Sequence, residues 1–288
     1  MLELEFFKTL FREITHPPTL ERTPEQALVM SDEPTVSAYA KGGRDDGALA
    51  GAYLYHVAQM CRLIRPDDLV LDLGCGPASL LARLAQLNPR CEFIGVDLSE
   101  AMLRHAGEML KQRGLSNIEL RHGDLSRLTG VPDGSVDMVV SSMAFHHLPD
   151  FAALDRSFAE IARVLKPEGR LYLTDFGRLK SAASIGYFAG RAAANEEPEL
   201  VEDYIQSLHA AFSKQEFEAM VQKHIPGRAR VYATAISPLL IVVTGGERAP
   251  QTQRRELSRQ YGALPPARKR DYREMQLFLR LGGLPSAL

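Results

Sequence analysis

The sequence is poor in features that mark several classes of protein, beginning with cysteine. It has three cysteines, Cys61, Cys75 and Cys91, in 288 residues. An odd number without regular spacing is no disulfide framework, and the lack of a C-x-x-C pair gives no sign of a zinc site. We therefore predict small buried thiols in a reducing compartment, and no bound metal.

Long apolar runs are also missing. No stretch approaches the ~18 uninterrupted apolar residues of a membrane-spanning helix. The first residues, MLELEFFKTLFREI, mix apolar with charged side chains and have no basic region before an apolar run, so they do not resemble a signal peptide. These features predict a cytoplasmic protein without a membrane span.

A surplus of basic residues is absent too, since 34 Lys and Arg oppose 36 Asp and Glu, for a net charge of -2. Proteins that neutralise many phosphates usually carry such a surplus, so we do not expect nucleic acid as a partner. The segment from residue 250 onward differs, with eight basic and three acidic residues, or +5, which leaves -7 for the rest. This tail could contact an anionic substrate, RNA or a partner subunit, but a solvated helical face is the favoured explanation.

From residue 68 to 176 the chain alternates short β-rich runs with longer helical patterns. This alternation predicts βαβ units and a parallel sheet. The turn at Lys166-Pro167-Glu168-Gly169 is predicted to end a helix and begin the next strand. We predict strands at 69–73, 92–96, 118–121, 136–140 and 170–174, and helices at 78–87, 100–113 and 151–165.

The first predicted strand ends in a glycine turn, VLDLGCGP, that leads into a helix. Glycines there let the backbone pass close to a ligand. Asp97 closes the next strand, 21 positions after Gly76 (97 minus 76), near the ~20-residue offset at which a carboxylate meets ribose hydroxyls. A carboxylate can accept from both hydroxyls of a cis-diol, so the two features together predict a nucleoside cofactor.

The residues around the turn favour one cofactor over others. The dinucleotide fingerprint G-x-G-x-x-G would place a third glycine at Ser79, and Pro77 directly follows Gly76. Asp72 brings a negative charge near the turn, which opposes a pyrophosphate but favours a cation. S-adenosylmethionine has no phosphate and carries a sulfonium and an ammonium, so we predict it rather than NAD or FAD.

The segments of residues 68–176 resemble the class I S-adenosylmethionine-dependent methyltransferases. The likeness lies in LDLGCGP, FIGVDLSEAML, HGDL, VDMVVSSMAFHHLPD and VLKPEGRLYLTDF, in that order and spacing. Small-molecule methyltransferases of the ubiquinone/menaquinone C-methyltransferase type look most similar. The resemblance implies a Rossmann-like seven-stranded, mostly parallel sheet sandwiched by helices, with S-adenosylhomocysteine as product.

The resemblance also implies roles at the matching positions. Gly74 and Gly76 would line the methionine part of the cofactor, with Asp72 near its ammonium group and Ser141 close by. Asp97 would bind the ribose, although an aspartate at this place can also simply cap the next helix. Four residues would surround the adenine: Leu98, Met102, Asp124 and Leu125. Pro77 and Gly123 belong to the same motifs and would also line the cofactor. Alternatively, Leu98 and Met102 are only core residues, and Asp124 is an ordinary turn aspartate.

Methyl transfer from a sulfonium is an in-line displacement that mainly requires alignment in a dry pocket. A base is needed only when the acceptor loses a proton. His146 and His147 follow the fourth strand, where the carboxyl ends of the sheet face the ligand, and are the best candidates for a base. A packing role is the alternative for each histidine. Asp175 and Tyr187 are further candidates for the acceptor pocket.

The flanking regions are predicted to select a small-molecule acceptor, with C, N, O or S as nucleophile. We predict an N-terminal helical lid (1–64), a Rossmann-like domain (65–247) with a helical insert (177–224), and a C-terminal helical extension (248–288). An apolar pocket could be lined by Tyr39, Tyr53, Tyr187 and Phe188, and the Phe-rich first helix is a candidate homodimer contact.

Other functions stay open at this point. The same fold could use S-adenosylmethionine for cyclisation or transfer of another group, or serve as a non-catalytic cofactor-binding module. Metalloid methylation is disfavoured because it would need several thiols near the acceptor, whereas Cys75 lies in the glycine turn and Cys91 before a strand. An NAD-dependent oxidoreductase agrees least with the motif.

Overall fold

A computed structural model describes residues 4–25, 36–37, 41, 47–193 and 198–286 of the chain. Tyr39, predicted to line an apolar pocket, lies outside the described residues. Within them, the three cysteines are buried and free, as predicted. No helix of the described ranges is both long and apolar enough to cross a membrane.

The centre of the molecule is a seven-stranded sheet with the order β3-β2-β1-β4-β5-β7-β6. The first five strands pair in parallel, and β7 runs antiparallel to both β5 and β6. The predicted mostly parallel sheet is confirmed. The strands are β1 Leu69–Leu73, β2 Glu92–Asp97, β3 Ile118–His122, β4 Val136–Ser142, β5 Leu165–Phe176, β6 Arg230–Ala233 and β7 Leu240–Gly245.

Helices cover the sheet and extend beyond it at both ends of the chain. The described helices are α1 Leu4–Thr15, α2 Ala50–Met60, α3 Ser79–Leu87, α4 Glu100–Gln112, α5 Phe151–Val164, α6 Ala182–Ala193, α7 Pro198–Ala210, α8 Lys214–His224, α9 Arg254–Ala263 and α10 Pro266–Leu281, with a 3₁₀ turn at Phe145–His147. Proline at the first turn of α10 suits a helix start, because its missing N–H has no partner there in any case.

The apolar residues of the central strands divide between two buried faces. Side chains alternate along a strand, so neighbours in sequence point to opposite sides of the sheet. Leu71 and Val139 belong to the core on one side, whereas Val70 and Met138 belong to the core on the other. This burial on both faces explains why β1 is a continuous apolar run around Asp72.

One predicted boundary was wrong. The strand expected to begin at Arg170 begins at Leu165, and the predicted turn lies inside β5 as an irregularity. Val136 pairs with Leu165 and Met138 with Arg170, so four residues of β5 oppose one residue of β4. Gly169 permits this bulge, because an added Cβ would lie 2.7 Å from a Leu165 methyl carbon.

The terminal helices pack on the sheet and on each other. α2 lies against α10, with ring centroids of Tyr55 and Tyr272 5.5 Å apart. α1 packs through Phe6, whose ring lies 6.2 Å from Tyr187 and 6.1 Å from Phe278. Residues 17–25, which we call the 17–25 segment, then run across to the helices after β5, where Thr23 N donates to the carbonyl of His209.

Candidate active site

The glycine turn crosses the carboxyl ends of β1 and β2. The backbone N–H groups of Gly74 and Cys75 both donate to the carbonyl of Val96, at 2.8 and 3.1 Å. Gly74 and Gly76 have φ angles of +70° and +53°, a region that favours glycine. An added Cβ at Gly74 would lie 2.3 Å from the Ala144 Cβ, whereas at Gly76 it would meet nothing within 4 Å. Gly74 is thus required by the neighbouring loop, and Gly76 faces open space.

Asp97 fastens this turn to the end of β2. Its Oδ2 accepts from Gly76 N at 2.7 Å and its Oδ1 from Ser99 N at 2.8 Å. A carboxylate has about four acceptor positions, so these two bonds leave capacity for two hydroxyl groups. The helix α4 is capped by Ser99, whose side chain accepts from Met102 N. Asp97 is therefore not needed as the cap, which was the alternative to a role in cofactor binding.

Asp72 is the most perturbed acid near the turn. It is 3% exposed, and burial together with the negative charge of Asp97 raises its pKa to about 8. Tyr53 of α2 lies close to Asp72, and burial together with the negative charge of Asp72 raises the pKa of Tyr53 to about 12. A cation brought to this place would be stabilised by ionisation of Asp72.

The residues predicted to surround the adenine gather near the ends of β2 and β3. Leu98 is 39% exposed, while Met102 is buried with Ala101. Gly123 N donates to the carbonyl of Asp97 at 3.0 Å. Asp124 Oδ1 accepts from Ser126 N at 2.7 Å, the local turn that aspartate favours.

Ser141 and Leu125 lie beside the glycine turn. Ser141 is fully buried and its hydroxyl donates to the carbonyl of Leu73 at 2.6 Å, which ties the end of β4 to the end of β1. A Leu125 methyl carbon lies 3.8 Å from the place where a Gly74 Cβ would be. The structure therefore brings the predicted cofactor residues of β1, β2 and β4 and of the loop after β3 to one edge of the sheet.

The predicted base candidates lie next along the same edge, in the 3₁₀ turn after β4. Asp175, near the end of β5, accepts from Phe145 N at 2.6 Å and from His146 N at 3.1 Å. Its other oxygen accepts from His146 Nδ1 at 2.6 Å, because a carboxylate can only accept. Burial alone would lower the pKa of His146, but the charges of Asp175 and Glu25 raise it overall.

Glu25 completes this cluster, and the sequence reasoning missed it. Its Oε2 lies 2.5 Å from His147 Nδ1, and its Oε1 accepts from the Ser207 hydroxyl at 2.9 Å. Oε1 also lies 3.8 Å from His146 Nε2. Burial would raise the pKa of Glu25, but the two histidines lower it overall. Each of Glu25, His146 and His147 offers one potential metal-ligand atom, and these atoms all lie within 4.8 Å of one another.

Arg22 holds the 17–25 segment against the histidine turn. Its guanidinium donates to the carbonyls of Pro149 (2.8 Å), His146 (3.0 Å) and Leu148, and to that of Ala210 at 2.7 Å. The same group lies 4.0 Å from the centre of the Phe212 ring, a favourable cation–π distance. Arg22 therefore fixes the backbone that carries Glu25. No spacing or motif in the sequence points to either residue.

The aromatic residues predicted to form one apolar pocket are divided among clusters. Tyr53 packs with the core that contains α2 and α10. Phe188 instead packs with Phe176 and Tyr204 beside α7. Tyr187 lies on α6 beside Phe188 and packs against Phe6 of α1.

Comparison with known proteins adds to this geometry. Residues 70–169 match a family described as a methyltransferase domain. The chain is 32% identical over 148 residues to nocamycin O-methyltransferase of Saccharothrix syringae, covering 47% of this chain and 51% of that protein. It is 37% identical over 107 residues to demethylmenaquinone methyltransferase of Listeria welshimeri, covering 37% of this chain and 44% of that protein. The chain thus spans about half the length of these relatives or less.

A solved structure shares the fold. An S-adenosylmethionine-dependent methyltransferase from Aquifex aeolicus superposes with a TM-score of 0.53 at 19% identity, covering 75% of this chain and 98% of that one. This likeness shows that the sheet and its helices have a Rossmann-like fold. Over residues 70–169, the predicted resemblance to class I methyltransferases is confirmed.

Proposed function

We propose that this chain transfers the methyl group of S-adenosylmethionine to a small-molecule acceptor. The observation that carries the proposal is the unit formed by Gly76 and Asp97 beside buried Asp72, within residues that match a methyltransferase domain. Both named relatives act, according to their names, on small molecules, nocamycin and demethylmenaquinone. That supports an acceptor of the same size class.

We propose that the cofactor lies across the glycine turn. Asp97, with two free acceptor positions, suits the ribose hydroxyls. The open space at Gly76 suits the methionine moiety, and Asp72 suits its ammonium group. The remaining residues proposed to line the cofactor are Gly74, Pro77, Leu98, Met102, Gly123, Asp124, Leu125 and Ser141.

The reaction needs few groups from the protein. The acceptor atom forms a bond to the methyl carbon while the carbon–sulfur bond breaks, and its electron pair leaves with sulfur as neutral S-adenosylhomocysteine. An O–H or N–H acceptor also releases a proton. We propose that this proton leaves at His146 and His147, since Asp175 holds Nδ1 of His146 and so orients Nε2 away from it. The acceptor would lie between this pair and the cofactor.

We propose that residues 1–64 and the 177–224 insert cover the acceptor. The Arg22 contacts to the loop after β4 and to the end of α7 support this cover.

We also propose a cytoplasmic homodimer. α1 exposes an apolar stripe, and sedimentation of wild type against a variant with polar residues at Phe7 and Phe11 would test the dimer. The exposed stripe consists of Leu4, Phe7, Phe11 and Ile14.

The decisive experiment uses methyl-labelled cofactor with a cell extract, followed by separation of small molecules, RNA and protein. We expect label in the small-molecule fraction with wild type and with Asp67→Ala, an exposed-carboxylate control. Asp97→Ala should bind cofactor at least about tenfold more weakly, because two charge-assisted hydrogen-bond positions are lost.

Other outcomes would contradict the proposal in different ways. Label in RNA or protein would change the acceptor class. Cofactor breakdown without labelled product would show a reaction other than methyl transfer. Binding without any turnover, for every acceptor fraction, would favour a sensor or a binding module.

A further inference from the structure

Three side chains from two distant parts of the chain converge at the histidine turn. His146 and His147 follow β4, and Glu25 comes from the 17–25 segment, 122 positions before His147. Their potential ligand atoms all lie within 4.8 Å of one another. Imidazole nitrogen and carboxylate oxygen are the commonest protein ligands of catalytic zinc and of related divalent metals.

One of these atoms has no hydrogen-bond partner among the described residues. His146 is 2% exposed, and its buried Nε2 atom makes no hydrogen bond within the described part of the structure. Because Nδ1 donates to Asp175, Nε2 presents a lone pair in the neutral ring. That lone pair faces the carboxylate of Glu25. Two electron-pair donors face each other here, an arrangement that a cation stabilises.

The spacing of the two donors suits a shared ion. His146 Nε2 and Glu25 Oε1 are 3.8 Å apart, too far for a hydrogen bond. Two ligand atoms at about 2.1 Å from a tetrahedral zinc ion lie about 3.4 Å from each other. His147 Nδ1 and Glu25 Oε2, now 2.5 Å apart, would separate by about 1 Å when an ion replaces the proton between them.

The groups behind the cluster hold it in the orientation that a metal site needs. Metal-ligating histidines almost always donate their other ring N–H to a carboxylate or carbonyl. His146 does so to Asp175 at 2.6 Å, and Asp175 is itself fixed by backbone N–H groups of Phe145 and His146. On the other side, the Ser207 hydroxyl donates to Glu25 at 2.9 Å. Arg22 anchors the backbone three residues before Glu25.

We propose that Glu25, His146 and His147 bind one divalent transition-metal ion of the zinc class. His147 is partly exposed, with 26% of its side chain accessible, so the ion has a route from solvent and a position left open for a further ligand. With the ion bound, the lone pair of His146 Nε2 would be held by the metal, so the acceptor's proton would pass to His147 Nε2, which is not a ligand atom; this role rests on the proposed function. A metal-bound hydroxyl is more acidic than a free one, so the ion would promote the release of that proton.

The test measures metal rather than methyl transfer. Tag-free protein is stripped with a chelator and dialysed against Zn²⁺, and metal content is measured by mass spectrometry and affinity by calorimetry. We expect about one zinc ion per chain in wild type, with proton release on binding. Glu25→Gln and His147→Ala should weaken zinc binding by at least about tenfold, and Mg²⁺ should not compete, because it prefers octahedral oxygen ligands.

A matched control is available elsewhere in the chain. His224 also pairs with a carboxylate, Asp155 at 2.8 Å, outside the cluster. His224→Gln should bind zinc like wild type. Circular dichroism and S-adenosylhomocysteine binding, measured on the same preparations, report whether each variant is folded.

The outcomes separate this inference from the proposed function. Zinc binding that is lost in Glu25→Gln and His147→Ala, but kept in His224→Gln, supports the site. Wild type without zinc, or equal zinc in all variants, overturns it, while intact cofactor binding leaves methyl transfer standing. Cofactor binding absent from wild type, with zinc still lost only in the cluster variants, would reject the proposed function and keep the metal site.

Discussion

Replacement of Asp72 by asparagine should stabilise the cofactor-free protein at high pH. Asparagine has nearly the same shape but cannot ionise. In the folded protein, burial and the neighbouring Asp97 raise the pKa of Asp72 from 3.8 to about 8. The folded state therefore keeps a proton that the unfolded chain has already released. Stability is lost as pH rises through this window, and the loss is complete above the folded pKa.

The size of the effect follows from that difference. Each pH unit between the unfolded and folded pKa values corresponds to about 1.4 kcal/mol. From 3.8 to about 8, the wild-type protein should lose up to about 6 kcal/mol that the variant does not lose. For a domain whose total stability is typically about 5–15 kcal/mol, such a difference is readily measured.

Urea unfolding of wild type and Asp72→Asn, at about pH 5 and at about pH 9, measures the effect. The advantage of the variant should grow between these two values. Asp67→Asn is the control, because Asp67 is an exposed carboxylate paired with Arg90 and a surface pair contributes little. Parallel pH profiles for wild type and Asp72→Asn would refute the reasoning, because they would mean that burial does not keep Asp72 protonated.

The same substitution should act in the opposite direction on the cofactor. The ammonium group proposed to lie near Asp72 favours the ionised carboxylate, which asparagine cannot supply. Affinity for S-adenosylmethionine should therefore fall in the variant by about tenfold or more, even though the free protein is more stable. Such a trade between stability and function is common where a site holds an unfavourable charge.

Two further predictions test the glycine turn and the clamp of the 17–25 segment. Gly74→Ala should lose about 3 kcal/mol of stability, because its Cβ would meet the loop after β4 at a positive φ. Gly76→Ala should lose only about 1 kcal/mol of stability, since its Cβ enters open space, but it should bind cofactor at least about tenfold more weakly. Equal losses of stability in Gly74→Ala and Gly76→Ala, measured by chemical unfolding, would contradict this. Arg22→Lys should expose the 17–25 segment to limited proteolysis, because lysine keeps the charge but not the forked contacts to four carbonyls; unchanged cleavage would contradict the clamp.

Local sequence was sufficient for the sheet and the glycine turn. Strand β1 and Asp97 could be predicted from nearby residues: an apolar run, the glycines that follow it, and an acid at a fixed offset. The start of β5 was missed because Leu165 continues a helical pattern, and only its pairing with Val136 across the sheet makes it part of a strand. A pairing between strands cannot be read from one segment alone.

The histidine cluster shows the same limit more strongly. His146 and His147 were identifiable from their place after a predicted strand. Glu25 was not, because it lies in a proline-containing segment without periodicity and reaches His147 across 122 positions. Only the folding of the chain brings it there, so the possibility of a metal ligand set could not be recognised from spacing.

The contacts of Arg22 also have a consequence for synthesis of the chain. The carbonyl of Ala210 to which Arg22 donates is made 188 residues after Arg22. At about 5–20 residues per second, that interval lasts roughly 10–40 s. During this interval, the 17–25 segment is already made but cannot form its contact with Ala210. Glu25 can join the histidine cluster only after β1 to β4 and His147 have been made.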